Sequence, residues 1–232
     1  MKQNATTLST AESNLTLDEI EDLLGEQHIG TAYDTPLRSD AFDMDDDEKI
    51  GVIAHHFREI MQTLGLDLND DSLNGTPRRV AKMYVKEIFS GLNPANKPQI
   101  TLFDNKYRYS QMLVEKNIAL YSNCEHHFVP IIGKAHIAYI SSGKVIGLSK
   151  LNRIVQYYAQ RPQVQERLTI QIANELKQIL ETEDVAVVID AVHLCVSSRG
   201  VKDISSSTLT AEYSGAFLEA DKKAEFLQYI ND

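Results

Sequence analysis

Two of the seven histidines and one of the two cysteines of this 232-residue chain fall within four positions, in Asn123-Cys-Glu-His-His-Phe128. A Cys-x-x-His turn can set the Cys124 thiolate and the His127 imidazole on one tetrahedral centre, about 2.3 and about 2.0 Å from a zinc ion. The other cysteine, Cys195, lies in "AVHLCVSSRG", two residues after His193. Read as part of one strand, "VAVVIDAVHLCVS", this stretch turns His193 and Cys195 to the same side, because strand side chains alternate. A third ligand and a proton carrier would then arrive together. Two thiolates and one imidazole leave a fourth position for water, the pattern of a catalytic zinc site. Water on such a metal has its pKa lowered toward about 7 and is a nucleophile at neutral pH. His126 and His193, where they are not ligands, serve as general acid and base. The same residues also fit two buried apolar thiols or one disulfide, with His126 capping the turn, and spacing alone leaves these readings open.

An anionic substrate needs basic groups, and the chain carries a net charge of −10. Such a ligand must be held by a local cluster acting against the global field. "GLSKLNR" puts Lys150 and Arg153 on one face of a helix turn behind Ser149 as N-cap. Arg199 follows Cys195 by four residues, and "TPRRVAKM" offers Arg78 and Arg79. Each of these also fits an ordinary solvated base. Gln165 and Glu166 open a helix, where a carboxylate favours the helix dipole or accepts two N–H bonds from a guanine-like edge.

The acidic balance argues against a sequence-independent grip on nucleic acid. No apolar run approaches the roughly 20 residues of a membrane span, and "MKQNATTLSTAESNL" lacks the apolar core of a secretory signal. Two cysteines make no disulfide framework, so the cytoplasm is the expected compartment. Residues 1–14 read as a disordered polar extension. Thr16-Leu-Asp-Glu19 has capping-box form and opens a short helix with Ile20, Leu23 and Leu24 on one face. After an acidic loop, Ile53, Phe57, Ile60, Met61 and Leu64 keep helical spacing up to Gly65. A further helix takes Thr76 as N-cap and Pro77 as first residue and runs to Gly91. Residues 15–95 therefore read as a helical region and 96–232 as a sheet domain. In the latter, "MLVEKNIALYS" and "KAHIAYI" are strands, "SSGK" is a hairpin-type turn, two amphipathic helices flank Arg161-Pro162, and two more strands and a short helix follow. Two strands, two helices and two strands give an α+β fold, an antiparallel sheet with helices on one face.

From Asp34 to the C-terminus, "TPRRVAKMYVKEIFSGL", "CEHHFVPIIGKAHIAYI", "VIGLSKLNRIVQYYAQRPQVQERLT" and "DAVHLCVSSRG" together resemble the GTP cyclohydrolase I family, zinc enzymes that begin pterin synthesis. The resemblance implies a tunnelling fold (ββααββ, a four-stranded antiparallel sheet with two helices on one face). In that fold sheets join into a pentameric barrel, and two rings stack into a homodecamer with active sites between subunits. It implies one Zn²⁺ per subunit on Cys124, His127 and Cys195, with His126 and His193 as the proton-transfer pair. Glu166 with Gln165 would anchor guanine, and Ser149 would lie by the ribose. Lys150, Arg153, Arg199 and a neighbour's Arg79 would clamp the triphosphate. The implied reaction is zinc-assisted addition of water at C8 of GTP, loss of formate, and re-closure to 7,8-dihydroneopterin triphosphate. A nitrile reductase or pyruvoyl-pterin synthase type of the same fold is disfavoured by "CEHH" together with "HLC". A nucleotide-binding regulator without turnover is disfavoured by the full set of catalytic side chains. The choice of zinc over Fe²⁺, the pathway fed by the product and a regulatory protein partner stay open at this level. His136, His55 and His56 match no motif and are expected to be structural or exposed.

Overall fold

The computed structural model describes residues 32–231 and Thr16. The polar extension and the helix expected around Ile20 to Leu24 lie outside the described residues. The chain divides into the units Met1–Tyr33 and Asp34–Asp232, and the second carries every element below.

The acidic run does what a solvated loop before a helix should do. Asp45 caps α1 (Asp46–Thr63) in a reciprocal capping box with Glu48, and Asp46, Asp47 and Glu48 crowd the first turn. Carboxylates there meet the positive end of the helix dipole. Gly65, at φ +81°, ends the segment as expected. The apolar stripe is only half used, since Ile50 and Met61 are buried but Ile60 and Leu64 are exposed. The N-cap of α2 (Thr76–Met83) is Gly75 rather than Thr76. The Gly75 carbonyl already accepts the first helical bond, from Arg79 N at 3.1 Å, which defines the half-in residue. Beyond Met83 the helix loosens into a π-turn (Tyr84–Ile88) and a 3-10 turn (Ser90–Leu92).

The sheet runs β2 (Leu113–Cys124), β3 (Pro130–Tyr139), β6 (Val185–His193) and β7 (Thr208–Tyr213), all antiparallel. A two-residue strand, β5 (Pro162–Gln163), lies parallel to the end of β2. The mixed α+β class and the order of the long strands agree with the sequence pattern. "SSGK" closes no hairpin, however. Ser141 Oγ donates to Lys144 O and accepts from Gly143 N, and the chain leaves the sheet. β4 (Lys144–Ile146) pairs instead with β1 (Leu102–Asp104).

Helices α3 (Leu148–Ala159) and α4 (Gln165–Leu180) cover one face of the sheet. Leu151, Ile154, Leu168, Ile172 and Leu176 pack there against Leu120, Ile137, Val187 and Ile189. On the other face Phe217 and Phe226 of the C-terminal segment and α6 (Ala220–Asn231) pack with Met112, Ala138, Ala186 and Val188, and Val114, Ile140, Tyr213 and Ile230 lie half-buried against them. The remainder of that face leaves Tyr121, Ile132 and Leu209 exposed. His136 is buried on this side, its Nδ1 facing the backbone N–H of Asn117 at 3.5 Å.

One glycine ties the helical region to the sheet layer. Gly91 N donates to Gln160 O at 3.0 Å, and Gly91 O accepts from Arg161 Nε at 2.9 Å. A Cβ on Gly91 would stand 2.0 Å from Tyr157 O. Gly91→Ala is therefore expected to destabilise the chain by about 1–3 kcal/mol, as overpacking does. Denaturant unfolding measures this, and an unchanged midpoint would contradict the clamp.

Candidate metal centre and active site

β2 ends at Cys124, and the chain turns back into β3 within a closed loop. Cys124 N donates to Val129 O at 2.9 Å and Phe128 N to Cys124 O at 2.8 Å. Phe128 sits at φ +52° to complete the turn, and Glu125 N donates to Gln163 O at 3.0 Å, fastening the loop to β5. The turn buries Cys124 and leaves His126 and His127 exposed at the end of the sheet. Phe128 packs on Phe89 with ring centroids 5.0 Å apart, so the Gly91 clamp also steadies this loop.

Cys195 reaches the same place by a different route from the one alternation suggests. β6 stops at His193, and Cys195 lies in a one-turn helix, α5 (Leu194–Ser197). The change from strand to helix, rather than a shared strand face, carries the thiol to Cys124. Ligand atoms of Cys124, His127 and Cys195 all lie within 4.8 Å of one another. Burial and the neighbouring Cys124 push the Cys195 thiol up from its ordinary pKa, with Arg199 opposing. A divalent cation that takes a thiol as ligand reverses such a preference, because the coordinated sulfur is held as thiolate. A sulfur, sulfur, nitrogen set fits zinc.

His126 Nδ1 lies 3.7 Å from Cys124 Sγ. His193, two residues before Cys195, is half-buried. Its Nε2 makes a 2.7 Å hydrogen bond to Gln165 Oε1. Burial lowers the pKa of His193, and Glu166 pulls it back upward. Arg199 Nη1 donates to His127 Nε2 at 2.8 Å, placing one expected phosphate ligand at the metal set.

The remaining expected residues are distributed as follows. Glu166 is exposed at the start of α4, while Gln165 is only 1% exposed. The side-chain amide of Gln165 is committed to protein partners, so any guanine contact from this residue is left to its backbone. Lys150 Nζ donates to Gln99 O at 2.7 Å, and Arg153 is exposed on the same helix. Ser149 is not the cap of α3, because Gly147 holds that position and its carbonyl accepts Lys150 N at 2.8 Å. Arg79 is exposed on α2, and among the described residues no hydrogen bond or ion pair joins it to the cluster.

Sequence reasoning missed Arg167. Its guanidinium is almost fully buried and bonds Glu125 Oε2 through both Nη1, at 2.8 Å, and Nη2. The other oxygen of Glu125 faces His126 Nε2 at 3.9 Å. The pair thus ties the ligand-bearing turn to the first turn of α4. Its signal was present in "CEHH" and "QERL", but 42 positions separate the partners.

Residues 53–231 match the family model for GTP cyclohydrolase I. The chain belongs to the GTP cyclohydrolase I family. It is 62% identical over 213 residues to GTP cyclohydrolase 1 of Flavobacterium johnsoniae, covering 92% of this chain and 96% of that one. The GTP cyclohydrolase 1 of Erwinia tasmaniensis is 51% identical, over 93% of this chain and 98% of its own. That of Escherichia coli O1:K1 / APEC is 53% identical, over 90% and 94%. The matched span of this GTP cyclohydrolase I family member contains every candidate site residue from Arg79 to Arg199.

Proposed function

We propose that the chain opens the imidazole ring of GTP at C8 by hydrolysis, releases formate and forms 7,8-dihydroneopterin triphosphate. The observation that carries this reading is the gathering of Cys124, His127 and Cys195 within 4.8 Å, in a chain of this family in which Glu166 acts electrostatically on His193. Zinc, when held by these three residues, supplies Lewis-acid activation of water.

The chain's own residues do the rest. The Glu166 carboxylate accepts two N–H bonds from the guanine edge and so sets C8 toward the metal ligands. His193 delivers a proton to N7 as the C8–N bond is loaded, and His126 handles the second proton transfer. Lys150, Arg153 and Arg199 neutralise the triphosphate, on a chain whose net charge of −10 would otherwise repel it. Ser149 lies by the ribose, and Arg79 reaches the site of a neighbouring subunit. That last role requires a tunnelling-fold ring, in which sheets join edge to edge into a pentameric barrel and two rings form a homodecamer. Open sheet edges support the ring. Among the described residues β2 has an outer partner only at Asn123–Cys124, and β7 has none. The exposed Tyr121, Ile132 and Leu209 would then face the barrel interior. The cytoplasm is the proposed compartment, and no helix of the described residues is long and apolar enough to cross a membrane.

Glu166→Ala tests the guanine anchor. Loss of two charge-assisted hydrogen bonds is expected to weaken GTP binding by about 10–100-fold, with zinc content unchanged. Calorimetric titration of GTP into the zinc-loaded variant reads this, and wild-type affinity would remove Glu166 from the substrate contacts.

A further inference from the structure

We infer that Gln165 is a positioning residue, holding His193 in the tautomer protonated on Nε2 and leaving Nδ1 as the nitrogen available to substrate. Two kinds of backbone contact set the direction of every hydrogen bond in the network. Thr169 Oγ1 lies 2.8 Å from Gln165 O, one turn back on α4, and a carbonyl can only accept. The single hydroxyl proton of Thr169 is thereby committed. At its 2.7 Å contact with Thr210 Oγ1, Thr169 must then accept and Thr210 must donate. With its own proton committed, Thr210 Oγ1 accepts from Gln165 Nε2 at 3.1 Å.

The other neighbours of that amide atom are Thr208 O at 2.8 Å and Ile189 O at 3.1 Å. Three acceptors therefore surround one end of the Gln165 amide, and only its NH₂ group, with two hydrogens to share among them, can face them. A flipped amide would set its oxygen against two carbonyls and a hydroxyl lone pair. The opposite end is consequently the carbonyl, Oε1, and it stands 2.7 Å from His193 Nε2. A carbonyl accepts, so Nε2 carries a hydrogen, and in the neutral ring the lone pair resides on Nδ1. Gln165 and Thr169 are each 1% exposed, so these two side chains meet protein partners rather than solvent.

The consequence for catalysis is orientation. β6 ends at His193, where the chain changes into α5, and the last ladder pair there joins His193 to Ile131. The backbone alone leaves the ring free to choose its tautomer. Gln165, seated between β6 and β7, removes that choice. The wrong tautomer of a catalytic imidazole has a large effect on turnover even when the geometry is intact. The effect of Gln165 on turnover rests on His193 acting as proton carrier in the proposed reaction, whereas the tautomer itself does not.

Histidine-selective ¹⁵N labelling of the zinc-loaded full chain, read by solid-state NMR and assigned against His193→Ala, tests this directly. The expected spectrum has His193 Nε2 protonated and Nδ1 bare. Gln165→Met, similar in size but without an acceptor, is expected to spread the proton over both nitrogens. Its kcat should fall about 10²–10⁴-fold, the range of a lost or misdirected acid–base group, with KM for GTP held within about 3-fold. A bare Nε2 in the wild-type chain overturns the inference, and so does a Gln165→Met enzyme with raised KM and unaltered kcat. The wild-type spectrum decides the tautomer even if Gln165→Met does not fold. Full turnover in His193→Ala would instead overturn the proton-carrier reading and leave the tautomer standing.

Discussion

Cys124→Ser is expected to lose its metal and its turnover together while keeping its fold. A serine hydroxyl at this position is a hard, protonated donor in place of a thiolate, poorly matched to zinc among sulfur and nitrogen ligands. The loss of turnover should reach at least about 10⁴-fold, the upper end of what one positioned acid–base group contributes, because activation of water goes with the metal. The fold should survive because its stability lies elsewhere. Leu168, Ile172, Leu176, Val187 and Ile189 are fully buried between helices and sheet, and the turn itself is closed by backbone bonds from Cys124 N and Phe128 N. Elemental analysis of the purified variant reads the metal, and far-UV circular dichroism with a denaturant midpoint reads the fold. Collapse of both Cys124→Ser and Cys195→Ser into unfolded aggregate would mark the metal as structural.

His193→Ala separates binding from chemistry. Glu166 and the basic residues are untouched by this change, so GTP should bind within a few-fold of the wild type. Formate release should fall about 10²–10⁴-fold, the usual contribution of a general acid–base group. Removing the ring leaves Gln165 Oε1 without its 2.7 Å partner in a buried position, which adds a modest loss of stability of about 1–3 kcal/mol. Rapid-quench assay of formate alongside equilibrium GTP binding distinguishes the two effects. Near-normal formate release would show that the proton route runs through another group.

The parts of the fold that follow from periodicity and end signals were legible. The acidic run before α1, the two helices around Arg161-Pro162 and the alternating strands all have local causes. The failures have local causes as well, but ones that depend on distant partners. "VAVVIDAVHLCVS" reads as one strand because Val, Leu and Cys suit a sheet, yet β3 begins at Pro130 and its pairing with β6 ends at Ile131 and His193. With no ladder beyond that point, the chain is free to turn into α5. "SSGK" has hairpin chemistry, but a hairpin needs a returning partner, and β1 takes β4 instead.

Cys124, His127 and Cys195 were legible as candidate ligands from residue type and spacing, and the structure gathers their ligand atoms within 4.8 Å. The supporting groups were not. Arg167 and Glu125 each look like an ordinary surface charge in the sequence, and only their burial together gives them meaning. In the sequence Gln165 and Glu166 are simply adjacent, and nothing there separates a substrate contact from a supporting group. Helix geometry sends adjacent residues in different directions, and here it buries one and exposes the other.

The most direct test of the account is to incubate the purified full chain with GTP and to measure formate and the fluorescence of the oxidised pterin in the same samples. The account predicts both products in equal amounts, abolished by a chelator and restored by zinc. Tight GTP binding with neither product, in a sample verified to hold zinc, would contradict it.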